Sequence, residues 1–341
     1  MSSLVDRLWY GDRRPLWFLA PLSWLYRNIA EARRRAAWEA HDMALPVPVV
    51  VVGNITAGGT GKSPLTAWLV DELVGAGWRP VILSRGYGGK ADNYPLEVNA
   101  ASSAIEAGDE PVMLAASTGC PVVVDPQRRR AAGYALDRKL GNLLVCDDGL
   151  QHYKLPRDVE LSVFDARRGI GNGALIPVGP LREPVSRLSS VDFVIVNGTD
   201  FSREVMESFE GIDHPAIYSM VLEPGRLIHL ATGEQKPLSG LRGQAVRAVA
   251  GIGNPSRFFD TLRNLGAEVT EVAFPDHHRF RPSDLSAGHD EMIVMTAKDA
   301  VKCRGFAPDN AWTLTVNARL PDGFRDAFLE RIQQCSEQLT S

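Results

Sequence analysis

The sequence predicts an α/β protein: a mostly parallel sheet with helices on both faces, a second and smaller α/β lobe, and an N-terminal amphipathic helical segment. Three observations carry this expectation. Short β-branched runs such as Val49-Val50-Val51-Val52 alternate with helix-length stretches, the pattern of strands covered on both faces and joined by helical crossovers. Those runs end in glycine or polar residues, where ligands of such sheets sit. The length of 341 residues suits about two domains, each large enough to bury a core.

The elements follow in order. Residues 1–40 read as a membrane-associating helical segment. Pro46 to Gly53 predicts the first strand of a domain spanning 41–215, followed by a glycine-rich loop and a helix from Pro64 to about Gly75. Arg79–Leu83, Pro121–Val124, Asn142–Cys146, Val159–Phe164 and Asp192–Val196 are its further strands. Ala216–Leu230, with Pro224-Gly225 at its centre, reads as a hairpin or linker within a 216–240 connection. Val246–Ala250, Glu268–Phe274, Glu291–Met295, Trp312–Val316 and a closing amphipathic helix, Phe324–Leu339, then build a smaller lobe over 241–341.

Composition narrows the functional classes. At 45% hydrophobic and 23% charged residues the chain is neither disordered nor collagen-like. Four widely spaced cysteines without a Cys-x-x-Cys pair exclude a zinc ribbon or a disulfide framework and point to a reducing compartment. The longest N-terminal apolar stretch, Leu16–Tyr26, contains Pro21 and falls short of the roughly 18 residues that span a bilayer; it also lacks a secretory cleavage site. Charge is uneven. Residues 1–38 hold seven arginines against Asp6, Asp12 and Glu31, a net +4, so the rest of the chain carries −8. Four of the seven tryptophans (Trp9, Trp17, Trp24, Trp38) lie in the same basic stretch. An acidic body argues against nucleic acid as a partner.

Thr56-Ala57-Gly58-Gly59-Thr60-Gly61-Lys62-Ser63 lies between the first strand and a helix, the place of a phosphate-binding loop in a P-loop NTPase-like sheet. Glycines let backbone N–H groups converge on phosphate oxygens, and the helix N-terminus adds partial positive charge. Lys62 would reach the β- and γ-phosphates and the Ser63 hydroxyl would ligate Mg²⁺. Thr56 departs from the motif, which has glycine there. Leu143–Cys146 runs directly into Asp147-Asp148, carboxylates at a strand tip that can divide metal binding and orientation of a reacting group. Arg85, at the tip of another strand, is a candidate phosphate or substrate contact, or a surface arginine on a glycine-rich loop. Asn197-Gly-Thr-Asp200 has glycine where a guanine-reading motif has lysine, which argues against a GTP-driven switch.

Taken together, Gly53–Pro64, Ser84-Arg-Gly-Tyr-Gly-Gly89, Gly108-Asp-Glu-Pro111, Asp147-Asp-Gly-Leu-Gln-His152, Gly171–Pro184 and Phe274-Pro-Asp-His-His278 resemble the tetraacyldisaccharide 4′-kinases (lipid A 4′-kinases), from the N-terminal segment to about Lys302. The resemblance implies transfer of the γ-phosphate of ATP, with Mg²⁺, to the 4′-hydroxyl of a tetraacylated glucosamine disaccharide 1-phosphate. It implies that Asp147, Asp148 and Gln151 lie near metal and phosphates. It also implies that Asp109 is a general base partnered by His277, and that Arg182 and Glu183 approach substrate. Which histidine of 277 and 278, and which arginine of 128, 129 and 130, is the functional one stays open. By residue type alone Asp109 equally suits a helix N-terminus, and the histidines a surface loop.

Pro180 and Pro184 stiffen the loop that carries Arg182. The aromatic, arginine-rich N-terminus suits either an interfacial helix on an anionic inner-membrane surface or an arm packed on its own core. The expected protein is a peripheral monomer on the cytoplasmic face of the inner membrane. A membrane-associated nucleotide switch and a kinase of another small acceptor are the alternatives.

Overall fold

A computed structural model describes residues 4–11, 15–39, 44–198, 209, 216–286, 288 and 291–340. Arg13, Arg14, Thr199 and Asp200 lie outside the described residues, as does the side chain of Trp38.

Along the chain, α1 (Leu4–Trp9) and α2 (Ala20–Glu39) precede β1 (Val49–Gly53). The first strand starts later than Pro46 because Pro46 and Pro48 have no N–H to give a ladder. Next come α3 (Lys62–Gly75), β2 (Pro80–Ser84), β3 (Leu96–Val98), α4 (Ala104–Ala107), α5 (Asp109–Thr118) and β4 (Val122–Val124). They are followed by α6 (Arg128–Asp137), β5 (Leu143–Cys146), β6 (Val159–Asp165), β7 (Phe193–Asn197), β8 (Ile217–His229) and β9 (Gln235–Lys236). The chain ends with β10 (Ala245–Ala250), α7 (Pro255–Asn264), β11 (Glu268–Ala273), β12 (Met292–Thr296), α8 (Ala297–Cys303), β13 (Ala311–Arg319) and α9 (Asp322–Thr340).

The chain divides into two compact units. The first comprises residues 1–85, 126–221 and 319–341, and the second 86–125 and 222–318. This division differs from the contiguous ranges the sequence suggests, because the segment around Asp109 clusters with the later residues.

In the first unit the strands run β2-β5-β1-β6-β7, joined by the start of β8, and every pairing is parallel. Register places Val50 opposite both Val145 and Val159. The four valines of β1 are fully buried, as continuous apolar strands must be when both faces are covered. The C-terminal ends of β1 and β5 are therefore neighbours, which brings the glycine-rich loop beside Asp147-Asp148.

The second unit pairs β11-β10-β12-β13 with the later part of β8, and β3 with β4 in an antiparallel pair. Its core on one side packs Phe258, Phe259 and Leu262 against Val294 and Trp312. The expected turn at Pro224-Gly225 is absent: β8 continues through it, and the hairpin turns at residues 230–234, where β9 pairs back (Ile228 with Gln235). Close approach explains the glycine, since a Cβ at Gly225 would lie 2.5 Å from Thr315 Oγ1.

The N-terminal segment packs on the protein along one side and leaves aromatics exposed on the other. Inward, Trp9 Nε1 donates to Pro177 O (3.2 Å), Tyr10 OH to Ala57 O (3.0 Å) and Ser23 Oγ to Leu175 O (2.9 Å). Outward, Trp17, Phe18 and Trp24 are 59%, 75% and 68% exposed. No helix among the described residues is long and apolar enough to cross a membrane.

Candidate active site

The glycine-rich loop is held from both sides. Ala57 N donates to Pro180 O (2.8 Å) and Thr56 makes an antiparallel bridge with Leu181. Positive φ falls at Gly58 (+114°) and Gly61 (+94°) and not at Thr56, which explains why threonine is accepted where the motif has glycine. Lys62 Nζ lies 3.3 Å from Asn54 Oδ1 and 3.4 Å from Asp148 Oδ1. Asn197, at the end of β7, donates from Nδ2 to Thr60 O (3.1 Å). Its amide therefore supports the loop, a role that uses the group a guanine-reading motif would need.

The paired aspartates have different surroundings. Asp147 is buried and its Oδ1 accepts from Thr66 Oγ1 on α3 (2.8 Å). Of the three neighbouring arginines, Arg128 is the buried one, and its Nη2 donates to Asp147 O (3.4 Å). Asp148 adopts φ +50° and faces Lys62 and Arg182 Nη1 (3.9 Å). Burial would raise its pKa, but Lys62, then Arg182 and Arg128, hold it below the usual carboxylate range. Thr60 Oγ1, in the glycine-rich loop, is a buried oxygen with no hydrogen-bond partner among the described residues. A buried hydroxyl oxygen in this loop and a carboxylate pair at the neighbouring strand tip are the hard oxygen donors that suit Mg²⁺. Close by, burial followed by the charges of Arg128 and Arg85 pushes the His152 pKa down to about 4, so this imidazole is neutral at pH 7. Arg85 itself is exposed.

The loop before Pro184 is fixed by buried ion pairs. Glu183 is 2% exposed. Its carboxylate accepts from Gln151 Nε2 (2.7 Å) and from Tyr153 OH, and Arg187 Nε lies 3.4 Å away. Gln151 also donates to Asn54 O (3.0 Å). The motif resemblance places Gln151 near metal and phosphates and Glu183 toward substrate; in the structure both side chains make hydrogen bonds within the protein. Arg182, the neighbour of Glu183, donates its N–H to Ile55 O (2.7 Å) and keeps its guanidinium half-exposed beside Asp148.

The second unit holds the other candidate group. Asp109 opens α5, and its Oδ1 accepts from the N–H of Glu110 (2.9 Å) while its Oδ2 lies 3.1 Å from His277 Nδ1. Asp109 is thus a helix N-terminal residue that also lies in contact with His277. The Tyr87 ring sits 4.8 Å from the imidazole. Burial would raise the Asp109 pKa, but the bond from His277 and the charges of Lys298 and Lys302 keep it below its ordinary value. The same bond raises the pKa of His277 against burial and Lys298. His278 points elsewhere: it stacks on Phe274 (4.3 Å) and meets Asp284 Oδ2 at 3.1 Å.

Comparison with known proteins decides the family. Residues 15–333 match the model of the tetraacyldisaccharide-1-P 4′-kinases (LpxK). The chain belongs to this family. It is 47% identical over 329 residues to the tetraacyldisaccharide 4′-kinase of Stenotrophomonas maltophilia, covering 96% of each chain. With the enzyme of the same name from Legionella pneumophila strain Corby it shares 44% over 328 residues, covering 96% of this chain and 97% of the relative. The crystal structure of LpxK from Aquifex aeolicus in complex with ATP superposes with a TM-score of 0.76 at 30% identity, covering 92% of this chain and 98% of that one.

Within this kinase, several groups escape sequence reasoning. Asn54, Asn197 and Thr66 brace the loop and Asp147, and Lys298 and Lys302 flank the Asp109–His277 pair. The signal for Asn54 and Asn197 is a lone amide at the C-terminal end of a buried strand, which is also where loop carbonyls need donors.

Proposed function

We propose that residues 56–63 hold the phosphates of ATP and that Asp109, partnered by His277, takes the proton of the acceptor hydroxyl. The overall activity follows from family membership: the chain is a tetraacyldisaccharide 4′-kinase of lipid A biosynthesis, using ATP with Mg²⁺. In the reaction the 4′-oxygen forms a bond to the γ-phosphorus as the bond to the bridging oxygen of ADP breaks. Such transfer depends mainly on positioning and on stabilising charge.

Lys62 is assigned to the β- and γ-phosphate oxygens. Ser63, Asp147 and Asp148 would hold Mg²⁺, whose chemistry there is to neutralise charge on those oxygens. Arg182 and Arg85 are assigned to anionic groups of nucleotide or acceptor. Gln151 and Glu183 position Arg182 by fixing its loop, an assignment that rests on their burial and internal hydrogen bonds. The pair in the second unit receives the proton of the 4′-hydroxyl as the new bond forms.

The observation that carries the assignment of the base is the 3.1 Å contact between Asp109 Oδ2 and His277 Nδ1. A carboxylate buried and kept ionised by a titratable partner is suited to accept a proton. The test is steady-state transfer from labelled ATP to detergent-dispersed tetraacyldisaccharide 1-phosphate. Asp109→Asn should lose turnover while retaining ATP affinity; unchanged turnover would remove Asp109 from the chemistry.

We further propose that the chain is a monomer attached peripherally to the anionic cytoplasmic face of the inner membrane. Trp17, Phe18 and Trp24 are exposed in a segment whose opposite side is hydrogen-bonded to the protein. Exposed aromatics flanked by arginine suit the headgroup layer, and an acceptor with four acyl chains resides there.

A further inference from the structure

We propose that Lys298, on α8, is a positioning residue of the Asp109–His277 pair: its ammonium group donates to His277 Nε2 and fixes the neutral tautomer whose Nδ1–H points at Asp109. This inference rests on the reading of that pair as the proton acceptor.

The geometry leaves one tautomer. Lys298 Nζ lies 3.4 Å from His277 Nε2, and His277 Nδ1 lies 3.1 Å from Asp109 Oδ2. An ammonium group has donors only and an ionised carboxylate acceptors only. Nε2 must therefore accept and Nδ1 must carry the proton. An imidazolium would turn a second N–H toward the ammonium and add a like charge beside it, so Lys298 opposes protonation of the ring, while Asp276 Oδ1, 3.9 Å from the same nitrogen, favours it.

The lysine is itself held in place. Its Nζ is 3.1 Å from Glu110 Oε1 and 3.3 Å from Asp276 Oδ1, and the side chain is largely buried. Burial would lower its pKa, but Glu110, Asp109 and Asp276 outweigh burial and raise it, so the group stays charged. Helix α8 is anchored at its start by Thr296 Oγ1, which accepts from Asp299 N (3.2 Å). One turn further on, Lys302 Nζ lies 3.7 Å from Asp109 Oδ2 and 2.7 Å from the fully buried Asp299. The same helix thus addresses both ends of the pair, with Lys298 at the imidazole and Lys302 at the carboxylate. The charged groups around His277 are Asp109 and Glu110 from α5, Asp276 from its own loop and Lys298 from α8, with Lys302 beyond Asp109. The neutral Tyr87 ring covers one face.

The functional consequence concerns the proton load of the pair. A carboxylate already bonded to an imidazolium is a weaker base than one bonded to neutral imidazole. By opposing the imidazolium, Lys298 extends the pH range over which the pair accepts the proton of a hydroxyl.

The test uses the full chain with ¹⁵N-labelled histidine, and His277→Gln identifies the His277 signals. In the wild type, Nε2 should show the shift of an unprotonated acceptor at pH above the His277 titration. In Lys298→Met, and in Lys298→Gln as a second neutral variant should the first fold poorly, the His277 pKa should rise by about one unit. The acid limb of kcat should move up with it, with kcat near pH 7 falling on the order of tenfold and KM for ATP unchanged. Lys298→Arg, which keeps the charge, should stay near wild type. An unmoved His277 titration and tautomer in both neutral variants would overturn the proposal. Asp109→Asn run in parallel separates the two ideas: if it turns over normally, the base assignment fails while the NMR result on Lys298 stands.

Discussion

Asp148 and Asp109 are both carboxylates held below their usual pKa, with different partners. In the first unit Asp148 faces a lysine and an arginine, Lys62 and Arg182. In the second unit Asp109 has Lys298 and Lys302 nearby and in addition meets His277, a residue type that gains or loses a proton within the physiological range. A site that must bind phosphate and metal needs a constant field; a site that must accept a proton needs a partner that can change. Under the proposed roles the difference would separate binding from proton transfer, and it suggests how each can be disturbed alone.

The largest expected effect is on the constant side. Lys62→Ala removes a cation from the phosphate loop and from Asp148, and should lower kcat/KM for ATP by about 10³. Asp109→Asn should come next, lowering kcat by about 10² or more with KM for ATP within about twofold. Steady-state kinetics on both variants would blur the comparison if the two changed the same parameter.

The pH dependence should divide in the same way. His277 has a raised pKa, so as pH falls the ring gains its proton above the ordinary imidazole value, and kcat should fall through that range. Asp148 has a lowered pKa, so it stays ionised as pH falls to the ordinary carboxylate value, and ATP affinity should remain flat there. Measuring kcat and ATP binding from about pH 5 to 9 checks both arms.

Smaller effects test the supports. Glu183→Gln leaves the buried Arg187 with Glu160 as its remaining close carboxylate and should cost about 1–3 kcal/mol in a denaturant titration. Its effect on kcat should be less than that of Asp109→Asn. Replacing Trp17, Phe18 and Trp24 with serine should leave the melting temperature within a few degrees, because these side chains touch solvent. It should weaken sedimentation with anionic vesicles severalfold.

What was legible in the sequence follows the range of the interactions. The phosphate loop, its strand and its helix are contiguous, so spacing alone places Lys62, and the strand ending in Asp147-Asp148 is equally local. The sequence reads the turn of β8 at Pro224-Gly225, whereas that glycine serves a close approach to Thr315 from a different strand. Asp109 and His277 are 168 residues apart, and only the motif resemblance links them before the fold is known. Burial of Glu183 is likewise invisible locally, because its partners Gln151, Tyr153 and Arg187 converge from separate segments. The N-terminal tryptophans look alike by composition, yet Trp9 bonds to the protein while Trp17 and Trp24 face outward.

The most direct test of the division between a binding carboxylate and a proton-accepting one is label transfer from ATP to tetraacyldisaccharide 1-phosphate, measured against pH for the full chain and for Asp109→Asn. The wild-type kcat should fall on the acid side above the ordinary imidazole value, and the variant should lose both turnover and that acid limb while still binding ATP. A variant that retains wild-type turnover and the same acid limb would contradict that division.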